Sequence, residues 1–278
     1  MRTVALQDGT RIPVLGQGTW GMGEDRRGRP KEVGALQLGI EIGLTLIDTA
    51  EMYGDGGAEE IVAEAIEGQR ERVFVVTKVY PHNASRTELP KACDRSLKRL
   101  GIDAIDLYLL HWRGGVPLQE TVNTFEKLRA AGKIKRWGVS NFDLDDMKEL
   151  LSLEHGHKCA ANQILYNLQN RQIEFDLLPW SHTNKIPIMA YSPVGHSGQL
   201  LRNAALKNIA QSHNATPAQI ALAWVLRKHG SIAIPKASNE EHVHANAHAI
   251  KIELTKQDLA ALDQEFPPPK SKQRLPML

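Results

Sequence analysis

Short apolar runs recur along this chain at a spacing that leaves room for a helix between successive pairs. They are LTLID (44–48), VFVVTK (73–78), IDLYLLH (105–111), RWGVSN (136–141), ANQILY (161–166), IPIMAYS (186–192) and SIAIPK (231–236), preceded by a short strand near Leu15. Each is short for a helix, rich in Val, Ile and Leu, and bounded by Gly, Pro, Asp or Asn, as strands buried on both faces are. Helical patterns fall between them at 31–42, 57–67, 85–100, 118–131, 143–153, 172–184, 204–213 and 217–228. Strands that alternate with helices lie parallel, because a parallel pair needs a crossover. Eight such strands in 278 residues predict an α/β fold, a closed (β/α)8 TIM barrel rather than a doubly wound sheet. Ahead of them, residues 3–6 and 11–14 flank Asp8-Gly9, the pattern of a β-hairpin. No linker, charge block or composition shift cuts the chain, so residues 1–278 read as one domain. The Pro-rich, basic tail PPPKSKQRLPML reads as an extended segment on the surface or a frayed end.

Charge narrows the partners. Lysine and arginine number 34 against 32 acidic residues, a net charge of +2, too balanced to predict nucleic acid or an anionic membrane. Two cysteines, Cys93 and Cys159, are no disulfide framework in a chain this long and fit a reducing compartment. The opening MRTVALQDGTRIP lacks the apolar core of a secretory signal. No run approaches the roughly 18 apolar residues of a membrane span. The expectation is a cytoplasmic protein acting on a small molecule.

The working face of a closed parallel barrel lies at the C-terminal ends of its strands. There Asp48 ends the second strand with Tyr53 in the following loop, Lys78 ends the third, and His111 ends the fourth. Neighbouring strands lie about 5 Å apart, so these groups can converge. A lysine ammonium beside a tyrosine favours tyrosinate and lowers its pKa, an aspartate holds the lysine charged, and a histidine can donate a hydrogen bond or relay a proton. The set suits protonation of an oxygen on which negative charge develops, as carbonyl reduction by hydride requires. Taken singly, Asp48 reads as a loop cap, Lys78 as a solvated strand-end charge, His111 as a structural histidine and Tyr53 as a packing residue. Their meeting on adjacent strand ends points to chemistry. A Schiff-base aldolase with Lys78 as the amine nucleophile is a second enzyme class that these residues allow. His82, His196, His242, His244 and His248 read as a solvated face rather than a metal site.

The segments GLTLIDTAEMYGDGGAEE (43–60), VFVVTKV (73–79), SLKRLGIDAIDLYLLHW (96–112), GKIKRWGVSNF (132–142), NQILYNLQNR (162–171), MAYSPVG (189–195) and AIPKASNEEHVHAN (233–246) resemble the aldo-keto reductases, in the family order and over nearly the whole chain. The resemblance implies a (β/α)8 barrel closed at its base by the N-terminal hairpin, and reduction of aldehydes and ketones by NADPH without a metal. It implies the catalytic set Tyr53, Asp48, Lys78 and His111, with Tyr53 as general acid, Lys78 and Asp48 tuning it, and His111 orienting the carbonyl. For the cofactor it implies Ser140, Asn141 and Gln163 at the nicotinamide carboxamide, Asp48 nearby, and Tyr191 stacked on the ring. Gly18, Thr19 and Trp20 match the first-strand loop beside the cofactor. Ser192, Pro193, Gly195 and Leu200 match the loop over the pyrophosphate. Lys236, Ser238 and Asn239 match the 2′-phosphate and ribose region, and Asn246 the adenine region.

Two positions depart from the family. His242 stands where an arginine often binds the 2′-phosphate and adenine, and Ala237 where many members carry serine. A histidine is only partly charged at neutral pH and lacks the guanidinium fork, so NADH tolerance is expected beside the NADPH preference. Trp20, Trp112, Tyr53 and His111 are expected to wall the substrate pocket. The short loop WRGGVPLQ and the short tail point to an open site for small aldehydes, α-dicarbonyls such as methylglyoxal, or sugars. A monomer is the family default. The alternative is an NADPH-binding accessory subunit with little turnover.

Overall fold

The computed structural model describes residues 2–278. Among these residues a two-stranded antiparallel hairpin, β1 (Thr3–Ala5) with β2 (Arg11–Pro13), precedes a parallel sheet whose eight strands pair in sequence order. The sheet runs β3 (Gln17–Gly18), β4 (Leu46–Asp48), β5 (Phe74–Val79), β6 (Leu107–Leu110), β7 (Trp137–Ser140), β8 (Asn162–Leu165), β9 (Ile188–Tyr191) and β10 (Ser231–Ala233). Single helices cross between successive strands from β3 to β9: α1 (Arg29–Glu41), α2 (Gly57–Ile66), α3 (Glu88–Leu100), α4 (Leu118–Ala130), α5 (Leu144–Ser152) and α6 (Leu177–Thr183). Two helices, α7 (Ala204–Ser212) and α8 (Pro217–Leu226), join β9 to β10, and α9 (Glu240–His248) and α10 (Lys256–Glu265) follow. The sheet curls until parallel bridges Leu15–Ala233 and Gly18–Lys236 link its two edges.

Side chains alternate across a strand with a period of two, and that alternation sorts the chain into layers. Leu46, Val76, Leu107, Leu109, Ala161, Met189, Ile232 and Ile234 form one buried apolar cluster inside the sheet, joined by Leu6 and Ile12 from the hairpin. The residues between them, such as Ile47, Val75, Tyr108 and Val139, belong to a second cluster shared with the helices. Two residues beyond an inward position the chain faces inward again. Asp48 therefore follows Leu46, Lys78 follows Val76, His111 follows Leu109, Gln163 follows Ala161, Tyr191 follows Met189 and Lys236 follows Ile234. The apolar layer fixes the direction of the polar side chains above it.

Several boundaries differ from the sequence pattern. The first parallel strand is Gln17–Gly18, and Leu15 contributes only a bridge. The span 172–184 is not one helix: a 3₁₀ turn at Gln172–Glu174 gives way to α6, whose start is capped by the Asp176 carboxylate accepting from the Leu177 N–H at 2.7 Å. The tail is tied down, with Lys272 donating to Asp145 at 2.6 Å, and its Met277 and Leu278 reach a cavity at the strand ends. No helix among the described residues is long and apolar enough to cross a membrane.

Candidate active site

A cavity of about 810 Å³ opens at the C-terminal ends of the strands. Asp48, Tyr53, His111, Ser140 and Gln163 line it, and Lys78 lies buried beneath. Register brings the polar groups level: Asp48 pairs with Gly18 and Val76, Lys78 with Leu109, and Ser140 with Gln163. Tyr53 comes from the 3₁₀ turn Tyr53–Gly56, where Gly56, at φ 90°, leads into α2. A Cβ at Gly56 would lie 2.5 Å from Cδ of Arg99, so both the conformation and the close approach favour glycine there.

Lys78 is the hub. Its Nζ donates to Asp48 Oδ2 at 2.8 Å, to the Thr49 carbonyl at 2.7 Å and to the Tyr53 hydroxyl at 3.2 Å, using all three ammonium protons. Asp48 Oδ1 accepts from Gln163 Nε2 at 2.7 Å, so both carboxylate oxygens are bonded. Burial disfavours the ammonium, but Asp48 and Tyr53 reverse that and hold the Lys78 pKa above its ordinary value. The Tyr53 hydroxyl goes the other way from expectation. Burial outweighs the pull of Lys78, and its pKa sits above 10 rather than below it. His111 meets Tyr53 edge-on, with ring centroids 5.9 Å apart. Burial, with the Lys78 charge second, pushes the His111 pKa from 6.5 down to about 3, so the ring is neutral at pH 7. Its Nδ1 is buried with no hydrogen-bond partner among the described residues.

A second chain of bonds runs along one wall. Tyr191 OH donates to Asn141 Oδ1 at 2.9 Å, Asn141 Nδ2 donates to Ser140 Oγ at 3.1 Å and to the His111 carbonyl at 3.1 Å, and Ser140 Oγ donates to the Gln163 carbonyl at 2.9 Å. Burial lifts the Tyr191 hydroxyl to about 12. Asn141 and Ser192, each just past a strand, have positive φ of 61° and 46°, an uncommon conformation that turns the chain at the rim. Asn167 holds the Ser192 turn by donating from Nδ2 to the Ser192 carbonyl at 2.9 Å.

The remaining expected residues divide. Gly18, Trp20, Trp112, Ser192, Pro193, Gly195 and Lys236 line the cavity. A Cβ at Gly18 would lie 2.7 Å from the Ile234 carbonyl, so the wall is backbone by necessity there. Thr19 is buried behind the wall, donating from Oγ1 to the Asp48 carbonyl at 3.0 Å. Leu200 is buried, and a Cβ on Gly195 would come within 3.1 Å of it. Ser238, Asn239, His242 and Asn246 are not in the cavity wall. Asn239 caps α9, accepting from the His242 N–H at 2.8 Å, and Lys236 Nζ donates to Ser238 Oγ at 3.4 Å. His196, read from sequence as part of a solvated face, is exposed, and it also lines the cavity mouth and packs on Trp20 with centroids 4.9 Å apart. Glu24, Met52, Met277 and Leu278 also line it and carried no signal in the sequence pattern. Burial raises both thiols, Cys93 and Cys159, to about 12, which leaves them inert.

These residues fit a nicotinamide cofactor. The cavity offers amide and hydroxyl groups at Ser140, Asn141 and Gln163, an aromatic ring at Tyr191, a backbone wall at Gly18 and an ammonium at Lys236. Comparison with known proteins agrees. The sequence matches the model of the Aldo/keto reductase family over residues 14–265. It is similar to the methylglyoxal reductase YeaE of Escherichia coli (strain K12), 54% identical over 271 residues that cover 96% of this chain and 95% of that protein. It is similar to the glyoxal reductase of Bacillus subtilis (strain 168), 33% identical over 261 residues that cover 94% of this chain and 91% of that protein. The crystal structure of an aldo-keto reductase from Klebsiella pneumoniae in complex with NADPH superposes with a TM-score of 0.98 at 50% identity, covering 100% of this chain and 99% of that one.

Proposed function

The chain belongs to the aldo/keto reductase family, and from that premise and the geometry at its strand ends we propose that it reduces small aldehydes and α-dicarbonyls such as methylglyoxal to alcohols with NADPH. The observation that carries the reading is the buried Lys78 ammonium joined to both Asp48 and the Tyr53 hydroxyl. When bound, the cofactor supplies the hydride to the carbonyl carbon. Tyr53, whose pKa burial holds above the ordinary 10, is protonated at neutral pH and gives its proton to the carbonyl oxygen. Lys78 stabilises the tyrosinate left behind, and Asp48 keeps Lys78 charged and aimed. His111, neutral at pH 7, donates a hydrogen bond to the same oxygen and with Tyr53 stabilises the developing alkoxide.

In this reading Ser140, Asn141 and Gln163 hold the nicotinamide carboxamide, and the Tyr191 ring stacks on the nicotinamide. Gly18, Thr19 and Trp20 flank the cofactor. Ser192, Pro193, Gly195 and Leu200 form the strap over the pyrophosphate. Lys236 and Ser238 take the 2′-phosphate, with Asn239, His242 and Asn246 towards ribose and adenine. Lys236 favours NADPH, and the missing guanidinium at His242 leaves NADH usable. Trp20, Trp112, Tyr53 and His111 bound the substrate. The edge bridges and the packing of Leu6 and Ile12 under the sheet support one closed (β/α)8 domain with the hairpin at its base. A cytoplasmic monomer completes the proposal. The test is loss of reduced-nicotinamide absorbance with methylglyoxal and a panel of small aldehydes, NADPH and NADH in parallel. Turnover faster with NADPH is expected. Tight NADPH binding with no turnover on any carbonyl would replace this reading with the accessory subunit.

A further inference from the structure

A second cavity, of about 440 Å³, lies at the opposite end of the sheet, between the hairpin and the segments entering β9 and β10. It shares no lining residue with the catalytic cavity. Its volume falls in the range of small-molecule sites. Leu6, Leu178, Ile186 and Ile188, all buried, supply an apolar wall. Ser181 lines it too, 1% exposed, with a hydroxyl that has no hydrogen-bond partner among the described residues. A helical serine ordinarily satisfies its hydroxyl on the carbonyl one turn back.

The cavity carries basic side chains, Lys185, His182 and His229, and no acidic one. The nearest acid along the hairpin, Asp8, is engaged by Arg136 Nε at 2.6 Å. Lys185 occupies an unusual position. The Ile186 N–H donates to the Ser181 carbonyl at 3.0 Å and the Lys185 N–H to the His182 carbonyl at 3.2 Å, the bond pair that closes a helix over a left-handed residue. That residue is ordinarily glycine, yet here Lys185 sits at φ 55°. A lysine is held there at a conformational cost, and Lys185, exposed, lines the cavity at its mouth with the exposed His182 and His229.

We propose that this basal cavity is a second binding site, for a small organic anion with an apolar body such as an alkyl or aryl carboxylate. The carboxylate meets Lys185 and the two imidazoles, and the hydrocarbon lies against Leu6, Leu178 and Ile188. The test titrates octanoate, with 1-octanol as its neutral counterpart, into the NADPH-saturated protein by calorimetry. It compares wild type with Lys185→Gly and Leu178→Trp. Glycine suits the left-handed position, so Lys185→Gly keeps its melting temperature and its carbonyl reductase activity while octanoate binding weakens about tenfold, the loss of one charge-assisted contact. Leu178→Trp fills the cavity and abolishes binding. Wild type binds 1-octanol more weakly than octanoate. Octanoate affinity equal in wild type and Lys185→Gly, or no binding at millimolar octanoate, would overturn the proposal.

Discussion

The corner around Lys78 and the rim around Lys236 both lie at strand ends of one sheet, yet they are held by opposite means. At the corner the ionisable groups bond to one another across the sheet: Lys78 to Asp48 and Tyr53, with Asp48 also held by Gln163. Asp48 and Lys78 are almost wholly out of water. At the rim Lys236 and His242 are exposed, and their neighbours are local in sequence, through the Asn239 cap of α9 and the Ser238 hydroxyl. A dry, internally bonded corner needs little reorganisation when charge develops, so in the proposed function it would set the rate. In the same proposal, a wet rim built on one short segment would set which cofactor is held and how tightly. The contrast makes a division of labour that mutations can separate.

The largest effect is expected from Lys78→Met. Removing the ammonium should lower kcat/KM for methylglyoxal by about 10³-fold, as loss of a central proton-transfer group does. NADPH affinity, followed by quenching of protein fluorescence, should change little. A loss confined to affinity would break the comparison, because the corner would then be serving cofactor binding. His111 gives the next effect, on stability. Folded, it stays neutral down to about pH 3, whereas the unfolded chain protonates it at 6.5. The unfolded state thus binds more protons between those values, and stability falls as pH falls through that window. Urea unfolding at pH 7 and pH 5 should show about 2 kcal/mol lost from this source, absent in His111→Gln. The smallest effect belongs to the rim: His242→Arg should raise NADPH affinity relative to NADH about tenfold, through charge-assisted bonds to the 2′-phosphate, with kcat unchanged. A change in kcat with no change in cofactor ratio would erase the distinction.

How much of this was legible follows from which contacts are local. Strand positions were readable to within a few residues because Val, Ile and Leu runs must be buried, and the inward positions of Asp48, Lys78 and His111 follow from counting by two. The split at 172–184 was missed because an Asp176 cap restarts the helix inside a continuous helical pattern. The helix α10 also passed unremarked, although its Thr255–Asp258 capping box is a sequence signal. Other features depend on residues far apart in the chain. Gln163 reaches Asp48 across 115 positions, Lys272 ties the tail to Asp145 across 127, and His196 lands on Trp20. No local pattern encodes such meetings. The sign of the Tyr53 shift was likewise illegible, since it turns on how completely the turn buries a hydroxyl whose charged neighbour was foreseen.

The central claim is that Tyr53 delivers the proton. It is tested most directly by Tyr53→Phe, which removes one oxygen and leaves Lys78 bonded to Asp48 and Thr49. Single-turnover mixing of the NADPH-loaded variant with methylglyoxal separates chemistry from binding. The account predicts NADPH bound as in wild type and its oxidation slowed by about 10³-fold or more. Oxidation at the wild-type rate would contradict it and move the proton to another donor.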